Sequence, residues 1–174
     1  MKKLFVSILA VTLMIFLSAS AIAQERSGND FDLGSNRFGI GVGLANTSAG
    51  SIVVPPVHFS YERGLFSVGK SIIGIGGVVE YGSSRLNKES STEAGFAIQA
   101  LGKWHFFFGQ KCELNPYVGI GYGTYGNNAV KLNSFASMAG VEFLFHFSPR
   151  TAVFVGAQAC SIPGVSALRV GLYF

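Results

Sequence analysis

The chain has 174 residues and a formal net charge of +4; only 13% of its residues are charged, while 23 are glycine and 16 phenylalanine. Setting aside Lys2 and Lys3, which belong to the leader described next, leaves 4 − 2 = +2, too small an excess to suggest nucleic-acid binding. The length fits one domain. Past residue 23 no apolar run approaches the ~20 residues of a spanning helix, so a chain this apolar is expected to alternate along strands.

Met1-Lys2-Lys3 is basic, Leu4 to Leu17 is almost wholly apolar, and Ala21 and Ala23 supply small residues at the cleavage positions before Gln24. This pattern predicts a secretory signal peptide over 1–23, leaving 174 − 23 = 151 residues. No cysteine follows the cleavage site, so nothing supports lipoprotein anchoring. Residues 24–35 are polar and read as a mobile lead; the domain proper is expected over 36–174.

Phe38, Ile40, Val42 and Leu44 alternate with Gly39, Gly41 and Gly43, which predicts a first strand with one bare face. Asn46 to Pro56 reads as a loop, with Pro55-Pro56 at a strand start where no ladder donor is required. Val57, Phe59 and Tyr61 alternate with His58, Ser60 and Glu62, and Arg63 to Lys70 reads as a turn. A third strand over 72–81 leads into Gly82 to Glu93, the most hydrophilic loop. The fourth sets Phe96, Ile98, Ala100, Gly102, Trp104 and Phe106 against Ala97, Gln99, Leu101, Lys103 and His105. After a turn at Gly109 to Asn115, Val118, Ile120 and Tyr122 alternate with glycines, and Gly126 to Asn133 is a polar loop. The sixth strand opposes Phe135, Val141, Phe143, Phe145 and Phe147 to Met138, Glu142, Leu144 and His146. Ser148 to Arg150 is a tight turn, 152–159 a seventh strand and Ser161 to Val165 a short loop. The closing strand carries Leu168, Val170, Leu172 and Phe174 on one face and Arg169, Gly171 and Tyr173 on the other.

Eight alternating segments joined by alternately short and long connections predict an all-β fold, an eight-stranded antiparallel up-and-down transmembrane β-barrel. With both ends on the periplasmic side, the turns at 63–70, 109–115 and 148–150 are periplasmic and the longer loops face outside. The large aromatic rings share one parity, while Glu62, Glu80, Lys103, Glu142 and Arg169 share the other. An eight-stranded interior is too narrow for that many rings, so the aromatic face is expected to meet outer-membrane lipid and the charged face the lumen. A soluble lipocalin-like barrel would reverse this.

The strand Val57-His58-Phe59-Ser60-Tyr61-Glu62, the closing Leu172-Tyr173-Phe174 and the eight-segment layout together resemble the small outer-membrane β-barrel proteins of the OmpX and OmpA-like barrel type. The resemblance implies an outer-membrane location, a role in envelope integrity, adhesion or surface interaction, and loops that meet an unknown extracellular ligand. It also implies that Leu172 and Phe174 are read by the barrel-assembly machinery. The chain departs from the family pattern in having Arg169 where glycine is common and leucine at 172.

His58, Glu80, Lys103, Glu142 and Arg169 are expected to form a charged belt across the lumen, with Glu62 and Arg37 balancing its signs. Near-neutrality favours a plugged lumen over a selective pore, which more often shows one dominant sign. A narrow porin-like channel is the alternative. A third reading is a lipid-modifying enzyme, because His58-x-Ser60 resembles the outer-membrane lipid A deacylase barrels. Strand neighbours at i and i+2 lie about 7 Å apart, however, and this pair points into the lumen. No catalytic residue is therefore assigned and the chain reads as a non-enzyme. His58, His105 and His146 lie on different strands, so no metal site or cofactor is expected. Cys112 in a periplasmic turn and Cys160 at an outer strand end should stand ~20 Å apart, too far for a disulfide. A monomer is expected.

Overall fold

The computed structural model describes residues 31–45, 50–86, 92–109, 111–127, 131–163 and 165–174. The predicted signal peptide, 1–23, and residues 24–30 of the lead lie outside the described residues. The strands are β1 Asn36–Ala45, β2 Gly50–Val68, β3 Ser71–Leu86, β4 Thr92–Phe108, β5 Cys112–Gly126, β6 Lys131–Ser148, β7 Thr151–Cys160 and β8 Ser166–Tyr173. Each pairs with its sequence neighbours, and β1 pairs antiparallel with β8, closing the barrel. No helix among the described residues is long and apolar enough to cross a membrane.

The middle strands overrun the boundaries that alternation suggests. β2 continues through most of the predicted 63–70 turn and leaves only Gly69 and Lys70 between strands. Gly69 takes φ 61°, the left-handed conformation that glycine adopts without strain. The predicted 109–115 turn is likewise shorter, since β5 begins at Cys112, and Gly109 takes φ 65°. At the opposite end, Gly82, Ser83, Ser84 and Arg85 pair with Gly95, Ala94, Glu93 and Thr92, all inside the predicted hydrophilic loop or at its edge. The physical reason is that apolar alternation marks only the belt of the barrel. Beyond it, a neighbouring strand still satisfies the backbone, so the ladder continues whatever the side chains are. Pro55-Pro56 falls inside β2, at the register shift between Val54 and Val57, where a missing N–H interrupts nothing.

Side chains follow the pleat. Phe38, Ile40, Val42, Phe59, Val118, Phe135, Val155 and Leu172 are among the large apolar residues exposed on the outer wall. Phe106 differs from the expected outer set: it is buried, with Trp104 stacked on it at 5.1 Å between ring centroids. The inner parity carries the buried charges and small apolar clusters. Val78, Leu101, Tyr117 and Met138 form one cluster; Ala97, Ala136, Ile162 and Val165 form another, nearer the loop between β7 and β8.

At the end where β1 starts and β8 stops, Phe31, Ile72 and Phe107 pack together as a floor. Of residues 31–35 in the predicted lead, Phe31 is buried, while Asp32, Leu33 and Gly34 are exposed. The Gly34 N–H donates to the Gly64 carbonyl at 2.8 Å and the Gly64 N–H to the Ser35 carbonyl at 3.1 Å, fastening this segment to β2.

Candidate functional site: a charge network through the lumen

The inward positions of β1 to β6 and β8 bring seven charged side chains into one column. Toward the end where β1 starts and β8 stops lies Glu113 of β5, fully buried. Arg37 of β1 donates to both of its oxygens, Nη1 to Oε1 at 3.0 Å and Nη2 to Oε2 at 3.2 Å. His105 Nδ1 lies 2.6 Å from Oε1, His146 Nε2 lies 2.8 Å from Oε2, and Asn115 Nδ2 donates to Oε1 at 2.7 Å. A carboxylate only accepts, so each histidine presents an N–H here. Five donor contacts on one carboxylate offset the desolvation that burying it would otherwise impose.

Glu62 of β2 links this cluster to the next. Its Oε1 is 3.3 Å from Arg37 Nη1 and its Oε2 is 2.9 Å from Lys103 Nζ. Lys103 also donates to Glu142 Oε2 at 2.8 Å and to the Tyr173 hydroxyl at 2.6 Å. Tyr173 donates to Glu142 Oε2 at 3.0 Å, and Arg169 Nη2 donates to Glu142 Oε1 at 2.5 Å. Arg169 Nη1 then stands 3.6 Å from Glu80 Oε1, whose two oxygens take the Gln158 amide at 3.2 and 3.0 Å. Gln158 Oε1 accepts from Tyr117, over whose ring the Arg169 guanidinium lies at 4.8 Å. Four carboxylates and three permanent cations therefore alternate along the column, and rings of Phe31, Tyr117 and Tyr173 cover the cations. Such a chain of paired charges holds together because each ion has an opposite neighbour in a setting that shields little.

Of the five residues predicted for the belt, Glu80, Lys103, Glu142 and Arg169 are joined by these contacts. His58 is not. It is buried opposite Gly41 and Glu80 in register, with its ring 5.4 Å from Phe154 and no hydrogen-bond partner on either nitrogen. Ser60 Oγ also lacks a partner, so His58, Ser60 and Glu62 share no hydrogen bond. Leu172 and Phe174 stand on the outer wall, 43% and 57% exposed. Cys112 and Cys160 are free thiols. Among the described residues no group of three metal-ligating side chains is placed to hold an ion.

Sequence reasoning missed Glu113, which accepts the most contacts, and with it Asn115, His105 and His146 as one cluster. The signal is present in the sequence: Glu113 and Asn115 continue the inward parity of Tyr117 and Gly119, inside the segment where a turn is predicted. A cleft of about 460 Å³ opens beside this cluster, lined by Arg37, His146, Arg150 and Tyr173 among others.

No protein-family model matches the chain, and no curated protein matches it. Among solved structures it is similar to Ail, the attachment invasion locus protein of Yersinia pestis, at 10% identity and TM-score 0.46, with 82% of this chain and 95% of that one covered. It is also similar to the N-terminal β-barrel domain of Pseudomonas aeruginosa OprF, at 13% identity and TM-score 0.43, with 85% of this chain and 98% of that one covered.

Proposed function

We propose that this chain is a monomeric integral outer-membrane β-barrel whose lumen is closed by its own side chains and whose outward loops serve envelope integrity or surface interaction. The observation that carries this reading is the opposition of the two faces of one sheet. The outer wall is apolar all round, whereas the inner wall holds an unbroken run of ion pairs from Glu113 to Glu80. Such a wall has lipid as its natural solvent. Export would use the leader over 1–23, and Leu172 and Phe174, on the outer face of β8, are where the barrel-assembly machinery would meet the chain.

Strand length supports display. About 9–11 residues suffice to cross a bilayer, which β1 and β7 match with 10 each, while β8 is shorter at 8. β2 to β6 run 15 to 19 residues. Pairing of β1 with β2 ends at Val42 and Val57, so the first part of β2 projects past its neighbour on the side away from the termini. An extracellular ligand would meet that extension and its loops.

A narrow channel is the second reading, favoured by one observation. Both ring nitrogens of His58 and the hydroxyls of Ser60 and Ser166 have no hydrogen-bond partner within the protein, and a thread of water would satisfy them. Ion conductance of the refolded protein in a planar bilayer separates the two. A silent bilayer, with insertion verified independently, is the expected result; steady, reproducible conductance would overturn the closed lumen and make the protein a small pore.

A further inference from the structure

The rim of the barrel on the termini side has a charge bias that the lumen network does not use. Each of its three short turns carries one exposed base: Lys70 between β2 and β3, Lys111 between β4 and β5, and Arg150 between β6 and β7. Arg63 joins them from the outward face of β2, opposite Asn36. Among the described residues the exposed acidic side chain on this rim is Asp32, so bases outnumber acids four to one. The remaining described acids of the chain are the four buried in the lumen and Glu93, which lies at the opposite end.

Inside the three turns the outer wall carries an aromatic girdle. Phe38, Tyr61, Phe66, Phe145, Phe147 and Phe174 are all exposed there. Rings of this kind settle where hydrocarbon gives way to headgroups. Bases one turn beyond them are at headgroup height, where anionic lipid attracts lysine and arginine over a Debye length.

We propose that this rim is a binding surface for anionic phospholipid headgroups, which gather around the turns carrying Lys70, Lys111 and Arg150 in preference to zwitterionic ones. The proposal rests on the reading of the chain as a membrane-spanning barrel. It assigns the basic ring a lipid partner in the leaflet on the termini side, separate from whatever the loops at the other end bind.

Trp104 gives a local reporter. It is the sole tryptophan of the chain, lies half-buried on the outward parity of β4, and pairs in register with Ile73, between the turns that carry Lys70 and Lys111. The protein is refolded into phosphatidylcholine vesicles holding a fixed fraction of brominated lipid, either phosphatidylglycerol or phosphatidylcholine, and quenching of Trp104 is compared. The expected result is an enrichment of the anionic lipid of about fivefold at low salt, the ratio corresponding to attraction by a single base, declining at high salt. It should vanish in the Lys70→Gln/Lys111→Gln variant and persist in Arg85→Gln, on the opposite rim. Equal quenching by the two lipids in the parent, or a preference that survives the double substitution, would overturn the proposal while leaving the barrel reading intact. Quenching by neither lipid would instead overturn the membrane-spanning reading, and the proposal with it. Co-sedimentation of the parent with peptidoglycan, lost in the double variant while the lipids quench equally, would replace the lipid by the cell wall as the partner of this rim.

Discussion

Arg37 and Glu113 meet in a two-point ion pair, Nη1 to Oε1 at 3.0 Å and Nη2 to Oε2 at 3.2 Å, across a barrel interior that separates them by 76 positions in sequence. The pair ties the first strand to the fifth, which are not neighbours in the sheet. It therefore braces the barrel across its width, an office that ladder hydrogen bonds cannot fill.

Removing that brace from one side should be costly. Glu113→Ala leaves the Arg37 guanidinium buried beside Glu62 alone and strips His105, His146 and Asn115 of their shared acceptor. A loss of about 3–5 kcal/mol is expected, the usual range when one partner of a buried pair is deleted. Urea unfolding in vesicles, followed by Trp104 fluorescence, checks it. An unchanged midpoint would mean that Arg37 draws its stabilisation from elsewhere.

Glu142 collects Lys103, Arg169 and Tyr173. Glu142→Ala should lower the melting temperature in detergent visibly. Because Lys103 acts through the same carboxylate, Lys103→Met should do less harm in the Glu142→Ala background than in the parent, with a coupling of about 0.5–3 kcal/mol. Heat-modified mobility on gels can follow all four proteins. Strict additivity would mean the two side chains do not work as a unit.

Gly41 faces the lumen where the β8–β1 seam is tight. A Cβ there would come 2.5 Å from His58 Cε1 and 2.6 Å from the Val170 carbonyl oxygen. Gly41→Ala should destabilise by about 1–3 kcal/mol through overpacking. Adding His58→Ala should restore only part, because the Val170 carbonyl belongs to the sheet and cannot step aside. Full restoration would show that the ring alone sets the limit.

The cysteines report on register. Cys112 is opposite Phe145 and Cys160 opposite Met138, both on β6, so their levels differ by 145 − 138 = 7 residues. At about 3.4 Å per residue that is ~24 Å, well past the ~7 Å limit for a disulfide. Non-reducing mass analysis after alkylation should find two modified thiols in one chain. A Cys112–Cys160 bridge would mean that β5, β6 and β7 are paired differently.

Period-two alternation fixes which face each residue takes, and that much was legible from residue types alone: eight strands, an apolar outside, and inward Glu62, Glu80, Lys103, Glu142 and Arg169. A pleated strand offers only two faces, and one-residue slips would turn every apolar side chain the wrong way. Strand ends were less legible, because backbone pairing past the apolar belt is supplied by the neighbouring strand and leaves no hydrophobic trace. The meeting of side chains was not legible at all. Whether Lys103 reaches Glu62 and Glu142, or His58 stays apart from both, depends on the stagger between strands, which a sequence of separate segments does not encode locally. Arg37, Glu113, His105 and His146 come from four strands, and only closure of the barrel brings them to one carboxylate.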